Sequence, residues 1–161
     1  MAKVLIIYYS GTGNTEEMAE LVQKGALSEK VDVELKRVEQ TNIEDLREAD
    51  GIIIGSPAYY GTLAAPIKKL IDESVKYHGE LVGKVGGAFT SSANIGGGNE
   101  TTILSILEAF LIHGMIIQGS SDGDHYGPVS IGRPNKRAER ECEELGRRVA
   151  QLVLKLTKNV K

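Results

Sequence analysis

Three observations predict an α/β chain folded as a three-layer sandwich around a parallel sheet. Short apolar runs, such as KVLIIYY at residues 3–9 and GIIIG at 51–55, have no polar face, as expected of strands covered on both sides. Segments with helical spacing follow these runs, so strand and helix alternate five times along the chain. Many of the 19 glycines sit in short clusters just after apolar runs, which marks loops where backbone approaches something closely.

Taken in order, the strand at 3–9 leads through a turn-rich loop at 10–14 into an amphipathic helix over 15–27. Met18, Leu21, Val22 and Leu27 lie near helical spacing there, and Glu16 and Glu17 occupy the first turn, where the helix dipole favours acids. Residues 31–37 (VDVELKR) alternate apolar and polar, which suits an edge strand. A short helix over 41–48, the buried strand at 51–55, a loop at 56–62 and a helix over 65–74 come next. A third central strand at 85–90 is followed by a Gly, Ser and Asn-rich loop at 91–98. The helix over 99–113 carries Ile103, Leu107 and Phe110 at helical spacing. A short strand at 115–118, a polar loop at 120–133 and a long amphipathic helix over Lys136–Lys158 complete the pattern. Five strands fit the order 2-1-3-4-5 better than a six-stranded dinucleotide fold. Ligands of such sheets bind beyond the carboxyl ends of the strands, so the loops after strands 1, 3 and 4 are expected to converge.

A chain of 161 residues suits a single domain over 1–161. A net charge of −3 offers no attraction for nucleic acid. The single cysteine, Cys142, excludes an intramolecular disulfide framework and a multi-cysteine metal site, and points to a cytoplasmic setting. Three dispersed histidines do not make a metal site. The apolar run near the start is too short for a membrane span and lacks a signal-peptide cleavage pattern.

The loop Ser10-Gly11-Thr12-Gly13-Asn14-Thr15 lies between a buried strand and a helix start. Backbone N–H groups at a helix start are unpaired and face any bound anion. The loop lacks the Gly-Lys-Ser/Thr ending of a P-loop. Glu16 stands where a dinucleotide fingerprint needs its third glycine. No lysine or arginine occurs between Val4 and Gln23, so the donors are neutral, as a mononucleotide phosphate monoester would require.

At these residues the chain resembles flavodoxin-like FMN proteins. The 10–15 loop is similar to the phosphate loop of flavodoxins. Four further segments, in order, resemble the WrbA-type NAD(P)H:quinone oxidoreductases: GSPAYYG at 55–61, FTSS at 89–92, GGGNE at 96–100 and HGM at 113–115. The resemblance implies a flavodoxin-like three-layer sandwich with a five-stranded parallel sheet, and FMN as cofactor. It implies that Ser10, Thr12, Gly13, Asn14 and Thr15 hold the phosphate. Pro57, Ala58, Tyr59, Tyr60 and Gly61 would line the isoalloxazine ring. Thr90, Ser91, Ser92, Ala93 and Asn94, with Gly96 and Gly97, would wrap its pyrimidine edge and the ribityl chain. His113 would sit near the exposed redox face as the acid–base residue, although its place before Gly114 equally suits a plain helix end.

Two functions are compatible with this resemblance. One is an FMN-dependent enzyme that takes a hydride from NADH or NADPH and reduces a small quinone, the flavin carrying the chemistry. The other is a flavodoxin that shuttles single electrons between redox proteins. The family also implies a homodimer or homotetramer.

Overall fold

The computed structural model describes residues 1–158. Five strands run parallel in the order β2-β1-β3-β4-β5. They are β1 (Lys3–Tyr8), β2 (Asp32–Arg37), β3 (Gly51–Pro57), β4 (Val85–Ser92) and β5 (Ile116–Ile117). The helices are α1 (Asn14–Leu27), α2 (Ile43–Glu48), α3 (Ala65–Glu73), α4 (Asn99–Ile112) and α5 (Lys136–Lys158). Helix α2 starts two residues later than its pattern predicts, because Asn42 is its cap and its N–H donates to Asp45 Oδ2 at 2.9 Å.

One strand lies inside the segment expected to be loop. Strand β6 (Val129–Ile131) pairs parallel with the far end of β4, Thr90 opposite Val129 and Ser92 opposite Ile131. β4 outruns the two-residue β5, and its last backbone groups need partners. The Thr90 N–H donates to the Pro128 carbonyl at 3.0 Å, and the Gly132 N–H donates to the Ser92 carbonyl at 2.7 Å. The fifth position of the sheet is thus filled by two short pieces with an excursion between them.

Strand alternation splits the core in two. Leu5, Ile7, Ile52, Ile54 and Ala88 face α2, α3 and α4, joined there by Leu46, Ile67 and Ile106. Val4, Ile6, Ile53, Val85 and Phe89 face α1 and α5, joined by Met18, Val22, Leu145 and Val149. All of these are buried, which agrees with the uniformly apolar strands.

Helices α1 and α5 cross on this second face at unusually close range. A Cβ at Gly25 would lie 1.9 Å from the Glu143 carbonyl oxygen, and one at Gly146 would lie 2.0 Å from the Val22 carbonyl oxygen. Each glycine thus admits the backbone of the opposite helix. A side chain there cannot be accommodated by a rotamer change, since the obstacle is main chain. G25A and G146A are each expected to destabilise the fold by about 2–3 kcal/mol or more, read as a lower urea midpoint.

Candidate functional site

Tyr8, Gly55 and Phe89 lie abreast in β1, β3 and β4. The loops leaving these strands therefore emerge at one edge of the sheet. The first of them ends in α1, capped by Gly13 in the left-handed region at φ 99°. The Gly13 N–H donates to Ser10 Oγ at 3.0 Å, so the Ser10 hydroxyl proton stays free for another acceptor. Among the described residues, the backbone N–H groups of Gly11, Thr12, Asn14 and Thr15 have no hydrogen-bond partner. They form the positive end of the α1 dipole.

The second loop is a two-residue hairpin. Tyr59 and Thr62 exchange both backbone hydrogen bonds, at 2.9 and 3.2 Å, around Tyr60 at φ 50° and Gly61 at φ 80°. Positive φ at both central positions is the type I′ turn, which favours Asn-Gly. A tyrosine in the first of them costs about 1–2 kcal/mol. Tyr60 is the one non-glycine residue with positive φ among the described residues, and its side chain is fully exposed. Tyr59 is half-exposed and meets the edge of Tyr9, ring centres 6.3 Å apart.

The third loop closes against the other two. A Cβ at Gly98 would lie 2.5 Å from Gly61 Cα, and one at Gly11 would lie 2.8 Å from the Tyr59 hydroxyl. Thr101 Oγ1 donates to the Gly61 carbonyl, and the Ala58 N–H donates to the Ser91 carbonyl at 2.8 Å. The Thr15 and Ser91 hydroxyls bond at 2.9 Å, tying the first loop to the third. Ser92 donates to the Asn94 carbonyl at 2.9 Å, which also accepts the Gly97 N–H at 3.1 Å, leaving Ala93, Asn94 and Gly96 exposed. Asn99, at the start of α4, is 5% exposed and its Oδ1 has no partner among the described residues.

The structure thus brings Ser10, Thr12, Gly13, Asn14 and Thr15 together with Tyr59, Tyr60, Gly61, Ser91, Ser92 and the 93–97 turn. Thr90 serves from beneath, its hydroxyl donating to the Ser56 carbonyl at 2.7 Å, and Pro57 is buried beside it. Spacing did not reveal Arg37, which ends β2 and whose Nη2 donates to the Ser10 carbonyl at 3.0 Å. Nothing along the chain links residues 27 positions apart; only the β1–β2 pairing does. Nor did it reveal Tyr8, whose hydroxyl donates to Glu16 Oε1 at 2.6 Å and is pushed up to about 12 by burial and that carboxylate.

His113 is not brought to this edge within the chain. It caps the C-terminus of α4, about 20 Å along the helix from the 93–98 turn, given 1.5 Å per residue. It is 8% exposed. Ser74 spends its one hydroxyl proton on the Ile71 carbonyl at 2.6 Å, so it accepts from His113 Nε2–H at 2.8 Å. That hydrogen-bond pattern makes Nδ1 the bare nitrogen, and it is buried without a partner among the described residues. His78 stands 6.0 Å away, ring centre to ring centre.

Comparison with known proteins agrees with this architecture. The pattern of the family described as NADPH-dependent FMN reductase matches residues 2–122. A flavodoxin of Aquifex aeolicus is 43% identical, over 95% of this chain and 88% of its own. An NAD(P)H dehydrogenase (quinone) of Archaeoglobus fulgidus is 34% identical, over 97% of this chain and 100% of its own. The structure of a flavodoxin, WrbA-like protein from Agrobacterium tumefaciens superposes with a TM-score of 0.84 at 27% identity, over 96% of this chain and 99% of that one.

The setting of His113 has a consequence for stability. Burial, and then the nearby His78, hold it below its ordinary 6.5. The unfolded chain therefore takes up a proton at this position before the folded chain does. Stability is expected to fall as pH drops below about 6.5, until the depressed folded-state value is passed. H113Q keeps a neutral donor for Ser74 and removes the titration. Urea midpoints measured from about pH 7 to about pH 5 should fall less steeply for H113Q than for the parent chain.

Proposed function

The chain belongs to the NADPH-dependent FMN reductase family, and from that premise we propose that it binds FMN across the three loops and passes electrons from NADH or NADPH to a small quinone. The observation that carries this reading is the junction of two features at one sheet edge. One is the cradle of unpartnered N–H groups at the start of α1. The other is the strained, fully exposed Tyr60. Strain of this kind persists where the surrounding structure imposes it, and it concentrates at ligand sites.

The residues present fit the cofactor. A phosphate monoester suits the N–H groups of Gly11, Thr12, Asn14 and Thr15 and the free proton of Ser10. An isoalloxazine ring suits the exposed faces of Tyr59 and Tyr60. Polar groups of the 93–97 turn and the unsatisfied Asn99 Oδ1 offer partners for the remaining polar atoms. Bound FMN supplies the electron-accepting ring, and the chain supplies binding, orientation and field. Little acid–base chemistry is asked of the protein, which agrees with the remoteness of His113 from this edge.

A second reading, a one-electron carrier between redox proteins, is favoured by the 43% identity to the Aquifex flavodoxin. Carriers depend on charge to steer encounter, and a net charge of −3 gives little steering. Mixing the FMN-loaded protein with NADH or NADPH and a benzoquinone separates the two. Sustained turnover is the result expected of the enzyme. Absence of turnover, together with reduction in two resolved one-electron steps, would favour the carrier. Failure to take up FMN would exclude both.

Y60N places the residue preferred by the turn at the strained position. It is expected to raise stability by about 1 kcal/mol through relief of φ strain. It is also expected to weaken FMN binding about five-fold through loss of ring stacking. Chemical denaturation without flavin and a fluorescence titration with FMN measure the two effects separately.

A further inference from the structure

The first turn of α1 carries a conflict. Its unpartnered N–H groups attract an anion, but Glu16 and Glu17 stand in the same turn. Two carboxylates favour the helix dipole and oppose a phosphate arriving at the same place. No basic residue of the loop or the first half of α1 offsets them, since none occurs between Val4 and Gln23, and Lys3 at the opposite end of β1 is paired with Glu34.

The offset comes from β2. Arg37 turns back beneath the loop, with its guanidinium 5.4 Å from the centre of the Tyr8 ring. Its Nη1 lies 3.6 Å from Glu16 Oε1, the same oxygen that accepts the Tyr8 hydroxyl proton at 2.6 Å. Its Nε lies 3.5 Å from Glu39 Oε2, and its Nη2 donates to the Ser10 carbonyl at 3.0 Å. One cation is thus held by a ring, two carboxylates and a main-chain carbonyl. Its side chain is 32% exposed. Glu17 has a counterpart in Arg133, whose Nε lies 3.0 Å from Oε2, but that side chain is 80% exposed and solvent screens the pair.

We propose that Arg37 is a positioning residue that makes the 10–15 loop select a phosphorylated flavin over riboflavin, an inference that rests on the flavin reading above. It acts in two ways without touching the ligand. It offsets part of the charge of Glu16, which would otherwise repel the phosphate in full. It also holds the Ser10 carbonyl on the Arg37 side of the loop, leaving N–H groups to meet the anion. A carbonyl turned the other way would present a negative dipole where the phosphate must sit.

Fluorescence titrations with FMN and with riboflavin test this, because only the first carries the charge. R37Q is expected to weaken FMN binding about ten-fold and riboflavin binding less than about two-fold. R37K keeps the charge and should recover part of the preference for FMN. E16Q/R37Q removes both charges and should recover most of it. E16Q alone leaves Arg37 in place and should tighten FMN about two- to three-fold. It keeps the proposal testable should R37Q fail to fold. Equal weakening of both flavins in R37Q would overturn the proposal, as would unchanged FMN affinity in R37Q or in E16Q. A parent chain that binds neither flavin would overturn the flavin reading itself and this proposal with it.

Discussion

Tyr8, Gly55 and Phe89 lie level in three neighbouring parallel strands, and that register decides where each loop of the site begins. Parallel pairing sends all three chain directions the same way, so the strands release their loops at a common edge. Hydrogen bonds between the loops depend on this alignment. Thr90 can reach the Ser56 carbonyl, and Thr15 the Ser91 hydroxyl, only because the strand ends are abreast. A slip of one residue would turn the apolar set of a strand from one helical layer to the other. The division of the core into two clusters, with Ile53 on one face and Ile52 and Ile54 on the other, therefore protects the site as much as the fold.

The edge so formed is organised by competing demands. Tyr60 sits in a backbone conformation better suited to asparagine or glycine, and the surrounding hydrogen bonds of Tyr59, Thr62 and Thr101 hold it there. Acids in the first turn of α1 support the helix while crowding the unpartnered N–H groups at its start. Arg37 reconciles the two by joining Glu16 to the Ser10 carbonyl. Both arrangements set a local cost against the geometry of the site. That cost is tolerable because the buried sheet and the close α1–α5 crossing stabilise the rest.

His113 sits apart from the three loops within the chain. Its position before Gly114 fits a helix end, and the structure finds it buried against Ser74, a helix length away from the 93–98 turn. Its tautomer is set by a hydrogen-bond chain through Ser74 to Ile71, not by any group at the sheet edge.

Much of this was legible in the residues. Uniformly apolar runs such as GIIIG required strands covered on both faces, and their alternation with amphipathic helices required a parallel sheet. The Ser10–Thr15 pattern placed a turn-rich loop with neutral donors ahead of a helix start, and α1 begins at Asn14. Local periodicity and local turn chemistry carry such features, so a linear reading reaches them. Strand β6 escaped it because three residues are too few for a period, and they form a strand only because β4 has backbone groups left to pair. Gly25 and Gly146 look like weak points in helices until the opposing backbone is seen beside each. Arg37 lies 27 residues from the carbonyl it holds. Residue patterns alone carried the layers, the strand order and the place of the loop ahead of α1. Which charges, strained turns and glycine contacts meet at that loop or brace it came from the folded chain, because those depend on residues that proximity in space, not along the chain, brings together.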